Sequence, residues 1–313
     1  MKGLSLTLIF GISSSVINVN NYAKELSLEV SFSSEDAINK VIDLEVSGVR
    51  RQYQLYTPEG LSSPKALVFD FHGSGSNPQQ QLAISNSQQI ANHLQAVLVA
   101  PKAVRPFARG GFTWNTPYHK NFADDVIMSQ TIIEQIRLRF KLSELPVVVT
   151  GFSGGARMAS LLACKLPDKI TAVALVAGMR QPELDGESCP DTGATHILSI
   201  HSIKDTINPY RFYDGAATSS YWNYGVEESL KAWAGRYQCE TTPNHIELND
   251  TVDVFSYQQC LNNKRIISYR LAEGGHTWPG SSFEFPDYLG SVNKSIDASK
   301  IISKFFVESL SDK

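Results

Sequence analysis

The chain has 313 residues, of which 42% are hydrophobic and 19% charged, with a formal net charge of −3. That length can bury the core of one large α/β domain or two small ones. The near-balanced charge, without a run of one sign, gives no electrostatic basis for binding nucleic acid or an anionic membrane surface.

The N-terminal segment has a character of its own. Lys2 precedes GLSLTLIFGISSSVI, an apolar stretch of signal-peptide length. Ser13 and Ser15 offer small residues before a cleavage point, and Ala23 is another candidate, although Asn21 fits the upstream position poorly. The stretch is too short and too rich in serine for a comfortable membrane span. We read residues 1–23 as a signal peptide with the cleavage point left open, against a buried first strand or helix. No stable membrane insertion is expected after processing. Cys164, Cys189, Cys239 and Cys260 allow three pairings. An even count beside such a leader favours disulfides in an oxidising compartment over four cytosolic thiols. Each nearest-neighbour pair would close a loop of roughly 20–26 residues and add about 3 kcal/mol. No pair has zinc or redox-motif spacing.

After a polar entry segment, KVIDLEVSGVRRQYQLYTPEG alternates on both sides of Ser47-Gly48 and predicts a hairpin. ALVFDF (66–71) is continuously apolar apart from Asp70, which suits a strand covered on both faces. AVLVAP (96–101), PVVVT (146–150), AVALVAG (172–178), THILSIH (195–201) and RIISYRL (265–271) read the same way. Helices are predicted over 78–94, 121–141, 153–165, 225–237 and 297–310, the second carrying Phe122, Val126, Ile133, Ile136 and Phe140 on one stripe. Strands alternating with helices predict an α/β fold with a mainly parallel central sheet, helices on both faces and an antiparallel N-terminal hairpin. No linker divides the chain after the leader, so residues 24–313 read as one domain.

VVVTGFSGGARMA (147–159) sets Ser153 between glycines, after a β-branched run and before a helical segment. A G-x-S-x-G match alone is weak in a chain with 21 glycines. The strand–turn–helix context makes Ser153 a candidate nucleophile rather than a capping serine in a glycine turn. Gly154 follows it at a helix N-terminus, so its amide is the natural first oxyanion donor. A serine hydroxyl needs a base, and the base needs an orienting carboxylate. His276 in LAEGGHTWPG follows a predicted strand within a glycine-flanked loop and is the candidate base. His196 and His201 bracket a strand and read as structural, and His245 has no predicted strand before it. Asp205 lies a few residues past the preceding strand and is the candidate acid, better placed than Asp191 or Asp214. The loop HGSGSN (72–77) supplies the second oxyanion donor, from the Ser74 amide or alternatively Gly73, with His72 orienting the loop. Its G-x-G lacks the continuation and acidic ribose partner of a dinucleotide site. Aromatic residues near the site, Trp278 above all and also Trp114, are candidate substrate-binding walls, against ordinary core packing.

Taken together and in order, these pieces resemble the secreted polyhydroxybutyrate depolymerase and feruloyl esterase group of α/β-hydrolases. The match runs from about Val41 to Pro279 through HGSGSN, DDV (124–126), GFSGGARMA, ACKLPDKITAVALVAG, HSIKDTINPY and GGHTWPG. The resemblance implies an α/β-hydrolase fold, with Ser153 as nucleophile, Asp205 as acid and His276 as base. It implies extracellular hydrolysis of carboxylic esters without metal or cofactor. It also implies pairing of Cys239 with Cys260 and of Cys164 with Cys189. The chain departs from the group at Ser202, where a glycine is usual, and in having no cysteine in the loop after His72. Nothing past the final helical segment resembles a polymer-binding domain, so hydroxyalkanoate oligomers or small feruloyl- or acetyl-type esters are expected rather than a crystalline polymer. The competing readings are a serine peptidase of the same fold and a catalytically silent binding protein.

Overall fold

A computed structural model describes residues 38–184, 187–191, 193–212, 219 and 221–312. The proposed leader over 1–23 and Asp214 lie outside the described residues. The chain enters with β1 (Ile38–Val46) and β2 (Val49–Thr57), paired antiparallel. Ser47 and Gly48 both take left-handed backbone (φ 52° and 77°), the geometry that matches a tight turn to the twist of its strands. Then follow β3 (Ala66–Phe71), α1 (Pro78–Ser85), α2 (Ser87–Leu94), β4 (Ala96–Pro101) and the short pair β5 (Arg105–Pro106) and β6 (Phe112–Thr113). Next come α3 (Asp125–Phe140), β7 (Val147–Phe152), α4 (Gly154–Lys165), β8 (Ile170–Val176) and β9 (His196–Ser202). The chain continues through α5 (Val226–Arg236), β10 (Asn244–Asn249), β11 (Val252–Tyr257), β12 (Ile266–Leu271) and α6 (Ala298–Ser311).

Three elements differ from the sequence reading. The predicted helix over 78–94 is two helices, because Asn86 turns left-handed (φ 50°) and caps the first while opening the second; asparagine tolerates that region better than most side chains. Helix α3 starts at Asp125, so Phe122 lies outside it, and the buried stripe is Met128, Ile132, Ile133 and Ile136. The hairpin β10–β11 was not among the predicted strands: NHIELN alternates polar and apolar residues, but all six are exposed, and β11 is buried only at Val252 and Tyr257.

Ten strands form one sheet in the order β1-β2-β4-β3-β7-β8-β9-β12-β11-β10. The six central strands run parallel, with antiparallel hairpins at both edges. Alternate residues explain the continuous apolar runs. Leu67, Phe69, Phe71, Val147 and Val149 pack on one face with Met128, Leu162 and Trp233 of α3, α4 and α5. Val68, Leu98, Val148, Ala174 and Val176 pack on the other with Ile84, Ile90 and Phe306 of α1, α2 and α6. Full burial of each large side chain contributes roughly 1.5–3 kcal/mol. This is the expected α/β architecture with its N-terminal hairpin. Both disulfides, Cys164–Cys189 and Cys239–Cys260, are formed. Among the described residues no helix is long and apolar enough to cross a membrane.

The topology places a crevice. From β3 the chain steps to β4 on one side and later to β7 on the other. The loops leaving β3 and β7 therefore diverge at a topological switch point, where α/β sheets open a binding crevice.

Asp70 interrupts the apolar run of β3 because α1 supplies its partners. Gln81 Nε2 donates to Oδ1 at 2.8 Å and Ser85 Oγ donates to Oδ2 at 2.6 Å. Burial nevertheless dominates these bonds and pushes the Asp70 carboxyl up to about 6. Between about pH 4 and 6 the folded state thus holds a proton that the unfolded chain has released. Stability contributed by the neutral acid is lost as pH rises through that window. The loss is expected to reach about 3 kcal/mol. Urea unfolding of Asp70→Asn and the unsubstituted chain should show stabilities that diverge by that amount between pH 4 and 7; parallel pH profiles would contradict the assignment.

Candidate active site

Ser153 is the hinge between β7 and α4. Its φ of 54° and ψ of −115° lie in a region that side-chain-bearing residues rarely occupy. The turn holds because backbone fills the space around it. A Cβ on Gly155 would sit 1.9 Å from Phe71 O, and one on Gly178 would sit 2.1 Å from Ser153 O. A Cβ on Gly151 would meet Gly155 C at 2.5 Å. Ser153 N donates to Val176 O at 2.9 Å and Ser153 O accepts from Arg157 N at 3.1 Å. The hydroxyl is thereby presented above the sheet edge.

The structure brings Ser153, His276 and Asp205 into one hydrogen-bonded line. Ser153 Oγ lies 2.8 Å from His276 Nε2, and His276 Nδ1 lies 2.7 Å from Asp205 Oδ2. With an ionised carboxylate at Nδ1, that nitrogen carries the proton and Nε2 is free to accept one from the serine. His276 is 3% exposed and Ser153 9%, so the pair is screened from bulk water but reachable. Glycines shape the histidine loop: a Cβ on Gly275 would meet Leu289 O at 2.1 Å, and His276 N donates to Leu289 O at 2.6 Å.

Asp205 is saturated with donors. Oδ1 accepts from the Ile207 and Asn208 amides at 2.9 and 2.8 Å. Oδ2 faces His276 and also His201 Nε2, at 3.1 Å. Burial pushes this carboxyl up, but the hydrogen bonds from His201 and His276 outweigh it and hold the group well below the usual carboxylate range. His201 was read as structural; it is a second imidazole on the acid, stacked on Trp222 with ring centroids 5.6 Å apart. Ser202 fills the position where the resemblance has glycine. Its hydroxyl donates to Gly274 O and accepts from Lys204 N, tying the acid loop to the histidine loop. Asp191 is exposed ahead of β9, His196 is bonded to the Arg265 amide, and His245 faces Asp253 on the exposed hairpin.

The loop after β3 arches over the serine. Ser74 N lies 3.0 Å from where a Cβ on Gly154 would stand, so the Ser74 and Gly154 amides share one small space. Gly154 is the first residue of α4, and its N–H has no partner within the helix. Gly73 also stands close, its notional Cβ 3.6 Å from Ser153 Cβ. Ser74 Oγ is held by Thr113 Oγ1 at 2.7 Å and Gly75 N by Phe112 O at 2.9 Å, so β6 braces the loop. His72 accepts from Ala103 N at Nε2 and contacts Gly73 O through Nδ1. Burial pushes its imidazole down to about 4, which leaves it neutral and suited to orienting the loop.

A cavity of about 830 Å³ opens over Ser153 and His276. Trp278 is not its wall. The indole is fully buried in the core on the α6 face, with Nε1 donating to Ser299 Oγ at 3.0 Å. Two residues after a histidine that reaches over the sheet, the chain has already turned back into the core. Trp114 borders the cavity but is fully buried beneath it, its Nε1 bonded to His72 O at 2.7 Å. Aromatic lining comes instead from Phe152, Phe283 and Phe285, with Phe285 packed 5.9 Å from Phe152, and from Phe107, Tyr221 and Tyr288. Sequence reasoning missed the two late phenylalanines; FEF (283–285), close behind the histidine loop, is the signal that could have found them. It also missed Arg157, one helical turn after Ser153 and on the cavity wall.

No family model matches the chain. It is 25% identical over 301 residues to "Putative esterase NocK" of Nocardia uniformis subsp. tsuyamanensis, across 87% of this chain and 83% of that protein. It is 27% identical over 175 residues to "Feruloyl esterase C" of Emericella nidulans, across 54% of this chain and 58% of that one. The match thus spans little more than half of that relative's length. Among solved structures, "Acetyl xylan esterase from Aspergillus awamori" superposes with a TM-score of 0.55 at 14% identity, over 76% of this chain and 94% of that one. That likeness establishes the shared α/β-hydrolase fold, and the named relatives agree with the feruloyl esterase side of the resemblance.

The elbow's dependence on bare backbone is testable. Gly155→Ala is expected to cost about 3 kcal/mol, since Phe71 O belongs to β3 and His72 O is held by Trp114 Nε1. Gly235→Ala, whose added methyl meets nothing within 4 Å, should be neutral or stabilising by up to about 1 kcal/mol. Equal urea midpoints for Gly155→Ala and the unsubstituted chain would refute this account.

Proposed function

We propose that this protein is a secreted serine esterase that hydrolyses carboxylic esters through an acyl-enzyme. The observation that carries the reading is the continuous line Asp205–His276–Ser153 at the base of the cavity, with links of 2.7 and 2.8 Å. The esterase names of its relatives support the same reaction class. His276 takes the Ser153 proton as the hydroxyl attacks the ester carbonyl. Asp205 stays ionised and stabilises the imidazolium that forms. The Gly154 and Ser74 amides meet the oxyanion. His276 then gives its proton to the leaving alcohol, and the same imidazole activates water for deacylation. The reading needs only these groups and water.

The aromatic wall of Phe152, Phe283 and Phe285 suits a feruloyl or short apolar acyl group, and the room around it suits a hydroxyalkanoate oligomer. One catalytic domain over 24–313 behind a leader over 1–23 completes the reading, and the two disulfides support an oxidising compartment. Hydrolysis of p-nitrophenyl acetate is expected to fall about 10⁶-fold in Ser153→Ala, with an unchanged circular dichroism spectrum. Near-normal turnover in that variant would refute the assignment, and faster cleavage of a peptide amide than of the matching peptide ester would turn it into a peptidase.

A further inference from the structure

Arg157 stands one helical turn after Ser153, on the wall of the cavity. It is 6% exposed, yet it lines the cavity together with Ser153 and His276. Among the described residues no carboxylate pairs with it, and its Nε and Nη1 have no hydrogen-bond partner. Nη2 has one long contact, 3.4 Å to Ser74 Oγ, and the guanidinium stacks over Tyr221 at 4.9 Å. Neighbouring Arg180 is neutralised by Glu187 at 2.7 Å, which sharpens the contrast. Burial pushes the Arg157 guanidinium down only to about 10, so it keeps its charge at neutral pH. A buried cation without a counter-ion is strongly unfavourable, and native proteins keep one where something else supplies the anion.

The rest of the cavity has the same bias. Arg105 and Arg109 also line it, and Glu284, exposed at the rim, is the one carboxylate among the described lining residues. The position of Arg157 fixes where an anion would stand. Its backbone amide is bonded to Ser153 O, and Nη2 lies 3.3 Å from where a Cβ on Gly154 would be. The charge is therefore next to the amides assigned to the oxyanion, a few bonds from the scissile carbonyl.

From this arrangement we infer that Arg157 is a specificity residue for esters that carry a free carboxylate close to the bond cleaved. The inference rests on the esterase reading above and narrows its substrate class. A hydroxy-acid oligomer carries such a carboxylate on its alcohol side, and a half-ester of a dicarboxylic acid carries it on its acyl side. The guanidinium recognises both by the same charge-assisted, two-pronged hydrogen bonding. A neutral acetyl or methyl ester offers it nothing.

The test compares matched charged and neutral substrates. One arm uses mono-p-nitrophenyl glutarate against p-nitrophenyl butyrate. The other uses the 3-hydroxybutyrate dimer as free acid against the same dimer capped as its primary amide. In at least one arm kcat/KM should favour the carboxylate by about 10- to 100-fold, and added salt should reduce the preference. Arg157→Gln should erase the preference, while Arg157→Lys keeps part of it. Glutarate should inhibit p-nitrophenyl butyrate cleavage by the unsubstituted enzyme competitively and better than glutaramide does, a measurement that stands even if the variants fold poorly. Rapid cleavage of the neutral esters with no charged preference in either arm overturns the inference and leaves the esterase intact. An equal loss on both members of each pair in Arg157→Gln also overturns it, because the guanidinium would then act on the oxyanion. No cleavage of any ester, p-nitrophenyl butyrate included, overturns the esterase reading itself.

Discussion

Ser153 stands in left-handed backbone at φ 54°, and a residue with a side chain stays there only when its surroundings leave no alternative. Here the surroundings are backbone. Gly151, Gly155 and Gly178 let β3, β7, α4 and the end of β8 approach to distances that any added methyl would violate. The close approach follows in turn from the sheet order, which lays β3 and β8 directly beside β7. The same contact sets the HGSGSN loop over the serine and aims the α4 N-terminus beneath it. Local strain, parallel pairing and the three glycine approaches are thus one constraint seen at three scales.

Asp205 and His276 are held by a different device, a network of hydrogen bonds. Asp205 accepts from two amides and faces two imidazoles, His276 at 2.7 Å and His201, farther off, at 3.1 Å. Such a carboxylate neither rotates nor protonates easily, and the ring of His276 is fixed through it. At the strand end His201 Nε2 lies 2.8 Å from Asn208 O and 3.1 Å from Asp205 Oδ2, and Ser202 ties the loops that carry Asp205 and His276. A glycine there would remove that tie, leaving the Asp205–His276 bond and the exposed Lys204–Glu273 ion pair between the loops.

Around this rigid centre lies the cavity. Its lining mixes aromatic residues, among them Phe152, Phe283 and Phe285, with the buried cation Arg157, which stacks over Tyr221. A purely apolar pocket would discriminate acyl groups only weakly, by about 1–3 kcal/mol per methylene. A buried charge discriminates more sharply, because a substrate without the complementary group leaves it unsatisfied.

Much of this was legible in the order of residues. Apolar runs such as ALVFDF and AVLVAP became strands at their predicted limits, because a strand buried on both faces needs no other pattern. The β10–β11 hairpin was not read as strands for the converse reason: β10 is exposed throughout and β11 is buried only at Val252 and Tyr257, so no continuous apolar run marks it. By itself the sequence determined the α/β order of elements, the serine turn and the identities of Ser153, Asp205 and His276 as candidates, since each depends on backbone propensity or on neighbours along the chain. Only the tertiary structure decided that Ser153 and His276, 123 residues apart, meet at 2.8 Å. It also decided that Trp278 turns into the core while Arg157 and Phe285 line the cavity. Which side chains share a space depends on strand register and loop return, and these are set by long-range packing rather than by any local pattern.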